Sequence, residues 1–177
     1  MAFFRGPVPE VSVWRRFRDA TDTYAVMRRD GLVGARAVGN AEAMAELFSE
    51  LVPALSPVFS VTIDDWRNGE SCRGDGVTQS SFLDAFYGMR VPLIGAGGVE
   101  ITLDCGTDQL TLSAHLEVVT WSRTDRWLYL LDRAGLRERP RVRGRLWRPA
   151  RGEFPSASTV SAALKTFVGA LDLHSPA

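Results

Sequence analysis

Two spacings of hydrophobic residues run along this chain, one of two residues and one close to four, and they divide it into strands and helices. Val11, Val13 and Phe17 oppose Ser12, Arg16 and Arg18, the pattern of a half-buried strand, and Asp19 to Thr23 turn the chain. Tyr24–Arg29 and Leu32–Val38 flank Asp30-Gly31, a dipeptide that tolerates the positive φ angles of a tight hairpin turn. Met44, Leu47, Phe48, Leu51 and Val52 then recur at helical spacing behind Asn40, an N-cap residue type, until Pro53 stops the run.

Val58–Ile63 reads as a strand, and 64–77 as a polar, glycine-rich loop holding Trp66, Cys72 and an Arg73-Gly74-Asp75 turn. Thr78 or Ser80 caps a short helix carrying Phe82, Leu83, Phe86 and Tyr87, closed by Gly88; 92–98 is expected to be loop. Val99, Ile101 and Leu103 alternate with polar residues. After a turn at 106–108, Leu110, Leu112, Ala114, Leu116 and Val118 do the same, which predicts a long antiparallel hairpin. Trp127, Leu130, Leu131 and Ala134 fit a helix between Asp125 and Gly135. Arg141, Arg143 and Arg145 alternate with Val142, Gly144 and Leu146 in an edge strand bracketed by Pro140 and Pro149. A last amphipathic helix spans Ser158–Leu171.

Hairpins separated by single helices, with no repeat or linker between them, predict one α+β domain over 1–177: a mainly antiparallel sheet with helices on one face. The ends, 1–9 and 172–177, are expected to fray.

Composition narrows the class of partner. The 177 residues carry 21 basic and 21 acidic side chains, so no global field draws the protein to nucleic acid or an anionic membrane. The basic set is almost all arginine, Lys165 being its one lysine. The longest apolar runs, such as Leu128-Tyr129-Leu130-Leu131, fall far short of the about 20 residues that cross a bilayer. The first residues lack the apolar stretch and cleavage site of a secretory signal, so a cytoplasmic protein is expected. Two distant cysteines, Cys72 and Cys105, make neither a disulfide framework nor a zinc knuckle.

Charge is local. Residues 133–151 hold eight arginines against Glu138, a balance of +7 that the rest of the chain cancels. Arginines at alternate strand positions present successive planar forks to carboxylates. Arg137, Arg139, Arg141, Arg143 and Arg145, with Trp147 and the loop residue Trp66, are therefore the candidate partner-binding residues, Trp66 being expected on the surface. An acidic protein partner fits them best. A phosphate-backbone site would also want stacking aromatics and an overall basic domain, which disfavours nucleic acid.

Catalytic sets are sparse. Asp64 and Asp65, with His115 expected on the polar face of its strand, make the one acid–base or divalent-cation candidate. Gly95-Ala96-Gly97-Gly98 leads into a strand and lacks the Lys-Ser/Thr ending of a phosphate loop. The expectation is a non-enzymatic protein-binding module without cofactor, such as an immunity protein that neutralises a toxin or an adaptor for a cargo, with a homodimer permitted. The competing readings are a small enzyme or ligand-binding protein using Asp64, Asp65 and His115, and nucleic-acid binding through 137–148.

Overall fold

A computed structural model describes residues 22–142 and 149–175. The strand expected at 11–17 lies outside them, as do Arg143, Arg145 and Trp147.

Strands β1 (Thr23–Arg29) and β2 (Leu32–Val38) form the expected hairpin, and Asp30 and Gly31 take φ values of 50° and 77°, as a two-residue turn of this hand requires. Asn40 accepts a 2.8 Å hydrogen bond from the Ala43 amide and starts α1 (Ala41–Leu51), whose Met44, Leu47, Phe48 and Leu51 are buried. Strand β3 (Val58–Asp65) follows.

The segment expected as a loop is instead a hairpin, in which β4 (Glu70–Thr78) returns along β3 with Asp65 opposite Glu70 and Thr62 opposite Arg73. Its sequence is polar because β4 lies at the sheet edge, where main-chain pairing rather than side-chain burial holds it. The Arg73-Gly74-Asp75 triplet is thus a strand segment beside a bulge, not a turn.

Thr78 caps α2 (Gln79–Ala96), which runs past Gly88 and through Pro92, where a helix end and a loop were expected. Phe82, Phe86, Met89 and Leu93 form one buried stripe across both interruptions. The carbonyl that Pro92 leaves without a donor belongs to Gly88, an exposed residue open to water. The helix ends where the Gly97 amide, at φ 59°, reaches the Leu93 carbonyl at 2.7 Å.

Strands β5 (Val99–Asp104), β6 (Asp108–Leu112) and β7 (Val118–Ser122) form the sheet centre. The single long strand expected over 110–118 is broken by a turn at 113–117, closed by Ser113 N to Glu117 O (2.9 Å), with Leu116 at φ 58°. Ala114 and Leu116 are fully buried inside that turn, so the apolar alternation continues where the strand does not. Helix α3 (Arg126–Arg133) forms as expected, without a side-chain cap from Asp125. The two-residue β8 (Arg137–Glu138) and α4 (Ser158–Ala170) complete the domain.

The sheet has eight strands in the order β4-β3-β5-β6-β7-β2-β1-β8, antiparallel throughout except for β8 against β1. Ile63, Ile101, Leu112, Val118, Ala37 and Tyr24 lie in register on the buried face, under the helices. The Phe82 ring stacks on Phe86 at 5.8 Å and meets Phe167 of α4 edge-on, so truncating it to alanine costs about 3–5 kcal/mol. On the open face, Arg36, Val119, Thr111, Thr102 and Thr62 form the matching half-buried row. No helix among the described residues is long and apolar enough to cross a membrane.

Residues 173–174 lie against the β4 edge. His174 exchanges two main-chain hydrogen bonds with Arg73, at 2.7 and 2.9 Å, and Leu173 is buried, although this tail was expected to fray.

Candidate partner-binding edge

Helix α3 stops at Gly135, whose φ of 85° turns the chain, and buried Leu136 anchors the exit. From there the chain lies along β1: the Arg137 amide donates to the Asp22 carbonyl at 3.3 Å and the Arg139 amide to the Tyr24 carbonyl at 2.8 Å. Because side chains alternate on an extended segment, Arg137 and Arg139 share one side and Glu138 takes the other. Arg137 pairs in register with Thr23, which stands on the open face of the sheet. Glu138 falls on the helix side near Tyr24, whose hydroxyl donates to Asp132 at 2.7 Å. Burial, then Asp132 and the charge of Glu138, push the Tyr24 hydroxyl up to about 12.

Arg133, Arg137, Arg139 and Arg141 are all exposed, and none has an ion-pair partner among the described residues. Several arginines elsewhere hold carboxylates: Arg36 grips Glu117 through two hydrogen bonds of 2.9 and 3.0 Å, Arg126 holds Asp108 at 2.9 Å, and Arg151 meets Asp64 at 3.4 Å. The candidates Arg143, Arg145 and Trp147 lie outside the described residues.

Trp66 does not join this edge. It follows β3, six strand positions from β8, or about 29 Å at about 4.8 Å per strand. It is half-buried rather than exposed: its ring meets His115 edge-on at 5.5 Å and Phe154 at 6.3 Å, with the Arg151 guanidinium 5.8 Å above it. Its indole Nε1 is buried without a hydrogen-bond partner. Beside it, the Arg67 side chain is 4% exposed and fastens three segments, donating to the carbonyls of Ala96 and Gly97 at the end of α2 and to that of Pro155. Burial lowers the Arg67 pKa, and neighbouring Asp65 opposes that shift.

The acid–base candidates are brought near one another but pointed apart. Asp65 is buried on the helix face, where it accepts from the Arg67 amide and from Asn68, each at 2.9 Å, and shapes the β3–β4 turn. Asp64 stands on the open face opposite Glu100. His115 sits in the 113–117 turn rather than on a strand, and its Nε2 donates to the Pro149 carbonyl at 3.1 Å. Sequence reasoning missed Glu100 and Arg151, the groups closest to Asp64 in charge. Burial and then the Asp64 charge raise the Glu100 pKa, against the Ala114 backbone and Arg151. The Val99–Leu103 alternation already put Glu100 on the polar face; only the β3–β5 register joins it to Asp64. Among the described residues no group of three or more His, Cys, Asp or Glu side chains could hold a metal ion.

No family model matches the chain, and no curated protein or solved structure matches it either.

Proposed function

We propose that this protein is a non-enzymatic, cytoplasmic protein-binding module that engages an acidic partner at the β8–β1 edge. The observation that carries the reading is the group Arg133, Arg137, Arg139 and Arg141, exposed beside one edge and without an ion-pair partner among the described residues, whereas Arg36, Arg126 and Arg151 hold carboxylates. A guanidinium fork is more weakly hydrated than an ammonium, so it costs less to desolvate, and it is shaped to take a carboxylate in two bonds. An immunity protein covering the acidic site of a toxin has this chemistry, and so does an adaptor or chaperone that holds an acidic cargo segment.

The test uses a polyglutamate probe. Measurable binding that weakens as salt rises, and that is lost in the folded triple variant R137E/R139E/R141E, supports the reading. Binding unchanged by the triple charge reversal, or no binding at low salt, overturns it.

A further inference from the structure

The two edges of the sheet are finished differently. At β4, the outer strand is bulged and the Leu173–His174 segment pairs with Arg73 beyond it. At the other end, β8 covers only Thr23 and Tyr24 of the seven-residue β1. Past that point β1 is regular, in continuous register with β2 down to the Arg29–Leu32 pair, without proline or bulge.

Alternation fixes which main-chain groups face outward. The Tyr24 carbonyl points to the β8 side, because it accepts from the Arg139 amide. Val26 and Arg28, two and four residues on, therefore turn their N–H and C=O groups the same way. Neither residue has a main-chain partner on that side among the described residues. Two donors and two acceptors thus continue the line that β8 leaves, along about five residues of edge that no described strand covers. Ala25 and Met27 give it a buried to half-buried flank on the open face. Exposed Arg28, Arg137, Arg139 and Arg141 border it.

We infer that this edge of β1 is a strand-addition site for an extended acidic peptide, which takes the place beyond the end of β8. Main-chain bonds to Val26 and Arg28 supply the docking, and the bordering guanidinium groups select carboxylates. A segment alternating acidic and small apolar residues matches the flanks. The inference rests on the acidic-partner reading above and specifies how the partner is held.

The probe is a fluorescent alternating Glu-Val octapeptide, with a Lys-Val counterpart and two N-methylated forms that block alternate amides in one phase or the other. Strand addition predicts that the Glu-Val peptide binds and the Lys-Val peptide does not. One N-methyl phase then weakens binding by about tenfold or more, because it removes the amides facing β1, and the other leaves it unchanged. Val26→Pro, which deletes an outward-facing N–H and spares the bonds to β2, weakens binding to a similar degree. If that variant does not fold, the comparison of the two N-methyl phases decides alone. Equal binding of both phases, together with loss in R137E/R139E/R141E, overturns strand addition and leaves the acidic-partner reading standing. No binding of the Glu-Val peptide overturns both, and the arginines then only guard a bare edge.

Discussion

Gly34 and Trp121 face one another across β2 and β7, and the indole occupies the space that a side chain at residue 34 would need. A Cβ there would sit 2.5 Å from the indole Cε3 and 2.6 Å from the Thr120 carbonyl oxygen. The ring can move but the β7 backbone cannot, since the Trp121 carbonyl also accepts from the buried Trp127 indole at 3.2 Å. Gly34→Ala therefore destabilises the domain by about 2–3 kcal/mol, read as a lower denaturation midpoint in urea.

Arg67 fixes the turn after β3, the end of α2 and the 154–155 segment at once. Arg67→Lys keeps the charge but replaces a planar fork by a point donor that cannot span those carbonyls. A loss of about 2–3 kcal/mol is expected, close to that of Arg67→Met, because the carbonyls of Ala96, Gly97 and Pro155 lose their donors in both. Rescue by lysine in equilibrium denaturation would contradict this account.

Glu100 gives a pH signature. Burial and Asp64 raise its pKa in the folded chain, so between the ordinary carboxylate value and that raised value the folded state binds more protons than the unfolded one. Its contribution is therefore favourable at low pH and is lost as pH rises. Glu100→Gln should raise Tm at neutral pH, with the gap closing as the wild-type carboxyl is protonated in acid. A Tm difference that stays constant with pH rejects the assignment.

Tyr24 acts at the alkaline end. Its hydroxyl is held protonated to about 12, above the ordinary 10.0, so the stability it contributes is complete below 10.0 and disappears as pH rises toward about 12. An ultraviolet titration of tyrosinate checks this: the Tyr24 step, identified by its absence in Tyr24→Phe, comes only with unfolding. Tyr24→Phe removes the late step and costs about 1 kcal/mol, modest because Asp132 is exposed to water.

What could be read from the chain and what could not follow one division. The Asp30-Gly31 hairpin, the Asn40 cap and the Trp127–Leu131 helix were legible because each depends on neighbours in sequence. Strand β4 was not: Glu70–Thr78 has no apolar alternation, and its order comes from β3 on one side and His174 on the other. The break at 113–117 was hidden for the opposite reason, since Ala114 and Leu116 stay buried as if the strand continued. The arginines of 137–141 were visible as a charge run, but that no described carboxylate pairs with them is a property of the fold. Trp66 was misjudged because polar neighbours along the chain say nothing of Phe154, Arg151 and His115, which meet it from far away in sequence.

The pairing of His174 with Arg73 also bears on how copies of this sheet can join. The tail occupies the middle of β4, so a second copy pairing along that edge must first displace residues 173–174. Cut the chain after Leu171 and the stopper goes, leaving unlike ends on the same molecule. A head-to-tail contact between unlike ends does not close, so the shortened protein is expected to self-associate more readily than the full chain, read by light scattering.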